Sequence, residues 1–381
     1  MSEAIERFRV RVDDAVLEDL HSRLLRTRFP DQIEGTGWEY GTPVDYLREL
    51  VEYWRDTYDW RAQETRLNEL AHFRTRIEGQ SIHFIHARSA RADAFPLLLM
   101  HGWPGSIVEF LEVIPPLTEP ESHGGRAADA FHVIAPSLPG YGFSEPTRTR
   151  GWDVRRIARA FIDLMRRLGY TRYGAQGGDW GAQIATQIGA LDPEHCAGIH
   201  LNMPVADRPE PPVPLSDEDK ADLAAMQQFQ RGESGYALEQ ATKPQTLGVA
   251  LNDSPAGLLA WIVEKFRTWS DCGGHPEPTF SRDQLITNAM LYWVTQTITS
   301  SARLYWEHQH ASVEKRAAEL VGVPTGIARY PNEVLRFPRG WVERRYNVTH
   351  WAVMPRGGHF AAMEQPALFV EDLRNFFRTV R

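Results

Sequence analysis

The stretch YGAQGGDWGAQIATQIG, Tyr173 to Gly189, decides how the chain is read. Its first residues read as a short strand and its last as a helix. Between them, Gly177-Gly178-Asp179-Trp180-Gly181 has the glycine spacing of the G-x-S-x-G nucleophile elbow, with an aspartate where that motif has serine. In an elbow a strand turns sharply into a helix and lifts the central side chain to the C-terminal edge of a sheet. Small residues at Gly177 and Gly181 permit the close approach. The helix N-terminus favours the ionised carboxylate that a nucleophile needs. A plain Gly-Gly-Asp turn with Asp179 as a helix cap has the same letters, but the strand before and the helix after tell against it.

A carboxylate is a poor attacker of esters and amides, because the anhydride it forms reverts easily. It is a suitable nucleophile at an sp³ carbon that carries a leaving group. Displacement there gives an alkyl ester of Asp179, and water then cleaves that ester at the aspartate's own carbonyl. The second step needs an oxyanion hole and a general base.

Outward from the elbow, strand alternates with helix, which predicts a mostly parallel sheet covered on both faces. FPLLLMHG and FHVIAPSLPGYGFS read as buried strands, and WDVRRIARAFIDLMRRLGY as an amphipathic helix closed by Gly169. Upstream, residues 1–90 hold two helical patterns, VLEDLHSRLLRTRFP and VDYLRELVEYWRDTYDW. A strand pair, RTRIEGQSIHFIHARS, turns at Glu78-Gly79. Downstream, the proline-rich and acidic RPEPPVPLSDEDKADL opens a helical, aromatic-rich insertion. Strands return at VPTGIARYP and VTHWAVMP, and a last helix runs from Ala367 to Val380. The expected organisation is an N-terminal extension (1–90) packing on core and lid, a first part of an α/β core (91–205), a helical lid (206–322) and a second part of the core (323–381).

The oxyanion donors follow from the elbow. FPLLLM runs into His101-Gly102-Trp103-Pro104-Gly105-Ser106, where the Trp103 backbone N–H can serve, and the residue after the nucleophile, Trp180, supplies another. The base should be a histidine after a late strand. His359, in Arg356-Gly357-Gly358-His359-Phe360, fits, because the glycines free the backbone to aim the imidazole. His308 and His310 read as solvated lid residues. His83 and His86, three apart on a strand, face opposite sides and make a poor metal pair. The orienting acid should end the preceding strand, which selects Glu333 in Tyr330-Pro331-Asn332-Glu333 over Glu343 in the exposed GWVERRY. The order nucleophile, acid, base is that of the α/β-hydrolase fold.

The leaving group separates the candidate reactions. An epoxide oxygen needs a proton, for which tyrosine is well suited, whereas a halide needs N–H donors but no acid. The insertion offers Tyr236, Tyr292 and Tyr305. On one continuous helix the last two, thirteen residues apart, would face nearly opposite sides at about 100° per residue. Tyr292, beside Leu291 and Trp293, reads as core. Trp261 and Trp269 are candidate wall residues for a bulky apolar or aromatic substrate.

Several motifs together are specific. FRVRV with LHSRLLRTRFP, HGWPGS, GYGFS, GGDWG, ESGYALEQATKPQTLG, LNDSP, VPTGIARYPNE and RGGHFAAMEQP span nearly the whole chain. In these the sequence resembles the microsomal-type epoxide hydrolases, a branch of the α/β-hydrolase fold. The resemblance implies a nucleophile at Asp179, an acid–base pair of Glu333 and His359, lid donors at Tyr236 and Tyr305, and no cofactor or metal. The family's vertebrate members carry an N-terminal membrane anchor, which is not carried over to this chain. The stretch after Pro204 is shortened and proline-rich, which bears on the substrate pocket. The rival chemistry is a haloalkane or haloacid dehalogenase built on the same aspartate. A catalytically silent binding protein is disfavoured by the intact set of Asp179, Glu333 and His359.

Composition narrows the setting. A formal charge of −8 with no Lys/Arg block argues against a nucleic-acid partner. Cys196 and Cys272 make no disulfide framework and no metal cluster. The longest apolar run, Ala94 to Met100, is too short to span a bilayer, and the first residues lack the apolar core of a signal peptide. The expectation is a cytoplasmic enzyme acting on a small-molecule epoxide, with no membrane partner and with a homodimer left as an open possibility.

Overall fold

A computed structural model describes residues 4–311 and 320–381 of the chain. Its described strands are β1 (Glu6–Phe8), β2 (His72–Ile77), β3 (Gln80–Ala87), β4 (Phe95–Met100), β5 (Phe131–Pro136), β6 (Tyr173–Gly177), β7 (Cys196–Leu201), β8 (Val321–Arg329) and β9 (Tyr346–Val353). They form one sheet in the order β1-β2-β3-β5-β4-β6-β7-β8-β9. From β5 through β9 neighbouring strands are parallel, while β1 to β3 join antiparallel. The strands of the first ninety residues thus extend the same sheet that carries the elbow.

Local sequence accounts for these elements. β5, β6 and β7 are buried along their whole length, as strands covered on both faces must be. β2 and β3 meet at Glu78-Gly79, whose φ values of 49° and 80° are those of a tight hairpin turn. Helix Val154–Arg167 starts where the Asp153 side chain accepts the Arg156 N–H at 2.9 Å. It ends where the Tyr170 N–H reaches the Met165 carbonyl and the Gly169 N–H reaches Arg166, with Gly169 at φ 83°. The expected helix after the elbow begins earlier than its apolar pattern, at Asp179, and runs to Leu191. β1 and β7 are strands that the pattern alone did not isolate.

The C-terminal helix Pro366–Phe377 lies against the parallel strands. Phe376 fills the space over Gly198 and Gly326, and Phe377 that over Gly174. Asp372 on the same helix accepts from His200 Nε2 at 2.8 Å and from His350 Nε2 at 2.7 Å, which bridges β7 and β9. Burial opposes the Asp372 charge, but the two imidazoles outweigh it and hold the carboxyl below its usual range.

Between β7 and β8 the chain leaves the sheet and forms helices Asp217–Gly232, Gly235–Thr242, Pro244–Asp253, Pro255–Trp269, Arg282–Thr295 and Ile298–Gln309. The part of the helical expectation that falls on 312–319 lies outside the described residues. The run from Tyr292 to Tyr305 is not one helix. It breaks after Thr295, with Gln296 at φ 53°. Several contacts tie this lid to the first ninety residues, among them Thr42 Oγ1 donating to the Ala260 carbonyl at 2.9 Å, Tyr53 Oη donating to Asp283 at 2.9 Å, and the ion pairs Arg23–Asp253 and Arg282–Glu49. Another tie runs to the core, where Asp222 on the first lid helix is paired with Arg329 at the end of β8 and with Arg336. No single helix among the described residues is long and apolar enough to cross a membrane. One bent pair, Pro244–Asp253 with Pro255–Trp269, passes by composition but turns by 116°.

Asp372 is the acceptor shared by His200 and His350, so its loss leaves a buried and a half-buried donor unpaired. Asp372→Ala is expected to lower the free energy of unfolding by about 3 kcal/mol in urea denaturation at neutral pH. A loss below about 1 kcal/mol would show that the two histidines find other partners.

Candidate active site

The C-terminal ends of β4, β6, β8 and β9 point to one place, where ligands of parallel α/β sheets sit. β6 ends at Gly177, and Asp179 takes φ 49°, a left-handed conformation that is costly for a residue with a side chain. The turn is this tight because a Cβ on Gly177 would lie 2.1 Å from the Gly181 carbonyl carbon. A Cβ on Gly181 would lie 2.1 Å from the Met100 carbonyl oxygen. The strain lifts the Asp179 carboxylate against the loop after β4. Its Oδ1 accepts the Trp103 N–H at 2.8 Å, over Gly102, whose lack of a side chain leaves room for that oxygen.

Trp180 is the second residue of helix Asp179–Leu191, so its N–H is among those without an acceptor inside the helix. The two expected oxyanion donors therefore come from the loop after β4 and from the first turn of the helix that Asp179 opens.

His359 reaches Asp179 from the loop after β9, with Nε2 at 3.5 Å from Oδ2. Its Nδ1 donates to Glu333 Oε1 at 2.7 Å, and that oxygen also accepts the Val334 N–H at 2.7 Å. The two loops run side by side through a parallel bridge between Asn332 and Gly358. Glu343, the competing acid, lies on helix Arg339–Arg345 and pairs with Arg339 at the surface. Burial works against a charge on His359. The Glu333 and Asp179 carboxylates outweigh it and hold the imidazolium well above the ordinary histidine range.

The lid grips the histidine loop. The His359 N–H donates to the Trp269 carbonyl at 2.9 Å, and the Gly357 N–H donates to Asp271 Oδ2 at 2.9 Å. Gly357 sits at φ 103°, and a Cβ on Gly358 would come within 2.7 Å of the Trp269 carbonyl oxygen. The glycines do more than free the backbone, because they let the lid backbone press on this loop.

Tyr236 and Tyr305 come together from separate lid helices, with ring centroids 5.9 Å apart. Tyr236 stacks on Trp103 at 5.2 Å with planes 7° apart, and Tyr305 meets Trp180 edge-on at 4.8 Å. Burial raises the pKa of both phenols above the tyrosine range, and the nearby Asp179 charge adds to it. Both therefore rest as O–H donors. Tyr292 is buried elsewhere, donating to the Gly105 carbonyl at 2.5 Å, which makes it a brace for the HGWPGS loop. Trp269 lies between Tyr236 and His359 at 5.1 and 5.0 Å and is a wall of the site. Trp261 instead donates to Gln240 at 3.3 Å. His308 packs on the Trp180 ring at 5.2 Å, and His83 is buried against His72 and Ser137.

Behind Asp179 a cavity of about 10 Å³ is bounded by Gly105, Glu109, Asp179, Asn202 and His359, enough for one water molecule. Burial pushes the Glu109 carboxyl up to about 8, with His359 opposing and Asp179 adding to the rise. Nothing in the sequence pattern singled out Glu109. Its one signal is a place in the largely apolar stretch IVEFLEVI, directly after HGWPGS, which it shares with the exposed Glu112.

Comparison with known proteins gives the family. Residues 5–110 match the profile of the epoxide hydrolase N terminus, and residues 96–252 that of the alpha/beta hydrolase fold. The chain is 49% identical over 380 residues to a protein of Stigmatella aurantiaca named as a candidate epoxide hydrolase, covering 99% of this chain and 86% of that one. It is 42% identical to epoxide hydrolase 1 of Sus scrofa, covering 98% and 88%. The crystal structure of juvenile hormone epoxide hydrolase from Bombyx mori superposes with a TM-score of 0.92 at 35% identity, covering 100% and 95%. A continuous match of this length, over both the N-terminal segment and the elbow-bearing core, places the chain in the epoxide hydrolase family of the α/β-hydrolase fold.

Proposed function

We propose that the protein hydrolyses an epoxide to a vicinal diol through a covalent ester on Asp179. One observation carries the reading: a carboxylate with one oxygen on a backbone amide and the other toward a histidine–glutamate pair, beside two paired phenols. The names of the related enzymes support the same reaction. The paired phenols favour an epoxide over an alkyl halide, since only the epoxide oxygen requires a proton.

In the first step Asp179 Oδ2 attacks a ring carbon. The C–O bond of the ring breaks, and its oxygen takes the proton of Tyr236 or Tyr305, which leaves a tyrosinate. Once the ester has neutralised Asp179, His359 releases its resting proton to solvent, and in the second step the neutral imidazole, held by Glu333, takes a proton from water in the cavity beside Glu109. The hydroxide adds to the carbonyl carbon of the ester. The oxyanion forms on Oδ1, where Trp103 N–H already sits and the Trp180 N–H is free to add. Collapse releases the diol, whose new hydroxyl takes a proton from His359, and the proton of the re-formed acid returns to the tyrosinate. The aromatic wall of Trp103, Trp269, Tyr236 and Tyr305 supports a bulky apolar or aromatic substrate.

The ester is tested by isotope and by mass. In a single turnover in ¹⁸O-water with enzyme in excess, the diol should stay unlabelled while Asp179 gains the label. His359→Gln should slow ester cleavage by about 10³-fold and appear in intact-protein mass spectrometry heavier by one substrate mass, whereas Asp179→Ala should show neither adduct nor turnover. Prompt labelling of the diol would demote Asp179 to a general base.

The phenols are tested by removal. Tyr236→Phe and Tyr305→Phe should each slow ring opening, by between about tenfold and a hundredfold, and the double variant by about 10³-fold or more. Undiminished epoxide opening by the double variant would turn the assignment toward the dehalogenase.

The base has a pH signature. Forming the ester neutralises Asp179 and removes one of the two anions that hold the His359 proton. Ester cleavage should therefore speed up as pH rises through the His359 pKa of the ester state. Glu333→Gln removes the second anion, so the rising limb should move to lower pH and level off at a slower rate. Stopped-flow decay of the ester across pH measures both, and an unmoved limb would rule out Glu333 as the partner that sets the base.

A further inference from the structure

We propose that Lys265, through its charge over the Tyr236 ring, is a positioning residue that makes Tyr236 the principal proton donor to the epoxide oxygen. The inference rests on the donor role of the tyrosines given above.

Lys265 lies on the lid helix Pro255–Trp269 and is 5% exposed, an unusual setting for a lysine. Its ammonium is paired with Glu264, whose other oxygen accepts the Thr268 hydroxyl at 2.8 Å. The same ammonium sits 4.7 Å from the centroid of the Tyr236 ring and 5.9 Å from that of Trp269. Tyr236 is itself fixed by stacking on Trp103, whose N–H holds the nucleophile. A buried cation therefore touches a ring that is locked beside the reacting carboxylate.

The chemistry of that contact changes during ring opening. With the phenol neutral, the cation feels the ring quadrupole, a modest attraction. As the proton leaves, negative charge spreads from the oxygen into the ring, and the contact becomes one between opposite charges. An interaction that strengthens along the reaction accelerates it. The need is specific, because burial and the Asp179, Glu264 and Glu333 carboxylates all oppose ionisation of this phenol. Tyr305 is contacted by the rings of Trp103, Trp180 and Tyr236, and no cation lies over it among the described residues. The two donors are therefore electrostatically unequal, although they share one pocket.

The test uses styrene oxide, a simple aryl epoxide, with the full-length protein. Stopped-flow tryptophan fluorescence follows ring opening and ester cleavage separately. Lys265→Met keeps the length of the side chain and removes the charge, and Lys265→Arg keeps the charge. Lys265→Met should slow ring opening by about tenfold in the native background and in Tyr305→Phe, with ester cleavage and the dissociation constant of the epoxide, read from the concentration dependence of the ring-opening phase, nearly unchanged. In Tyr236→Phe the same substitution should change ring opening by less than about twofold, because the ring no longer carries a transferable proton. Lys265→Arg should restore most of the rate and guards against misfolding of the apolar variant. An equal loss in the Tyr236→Phe background, or an equal loss with arginine, or a parallel loss of ester cleavage would overturn the proposal in favour of packing. The donor reading is judged apart from it: if Tyr236→Phe alone leaves ring opening intact, that reading fails whatever Lys265 does.

Discussion

The structure depends on a carboxylate held in a backbone conformation it does not prefer. Asp179 at φ 49° has one oxygen on the Trp103 amide, and each neighbouring loop is shaped around that contact. Gly177 and Gly181 exist as glycines so that the strand and helix can close on the turn. Gly102 is a glycine so that the oxygen can reach the amide. Local strain of this kind costs on the order of 1–3 kcal/mol and survives only where the surroundings leave no alternative. Here the surroundings are a fully buried parallel strand on one side and a mostly buried helix on the other.

Charge follows from the same constraint. A fixed carboxylate beside a buried histidine, itself backed by a second carboxylate, stabilises an imidazolium that burial alone would reject. Burial, with the same fixed charge adding to it, keeps two phenols neutral a short distance away. Proton donors and proton acceptor are thus set apart in one pocket by burial and by the position of one anion.

Much of this was legible in the sequence because it was carried by residues with few other uses. A strand, two glycines and an aspartate ahead of a helix fit little else, and Gly-Gly before His359 marks a loop that must bend and be approached. Glu333 was separable from Glu343 because one ends a buried strand and the other lies on a helix with regularly spaced charges. The partnership of Tyr236 and Tyr305 was not legible from spacing. They come from different helices, and the break at Gln296 removes the periodicity that would relate Tyr305 to Tyr292. Glu109 and Lys265 were invisible for another reason. Each sits in a segment whose pattern is satisfied without it, and only packing turns its charge inward. β7 escaped because CAGIHL is short and mixed in character, and its burial comes from the helices on both faces.

The grip of the lid on the histidine loop has a consequence for how such enzymes diversify. The Trp269 carbonyl and the Asp271 side chain hold the backbone of Gly357 and His359, so the base is aligned jointly by the core and the cover. Grafting the cover of one relative onto the core of another would exchange the mould in which the imidazole is cast. New substrate preferences are more accessible by changing the side chains that hang from this lid into the pocket than by replacing the lid. In this architecture the specificity element and part of the catalytic scaffold are inherited together.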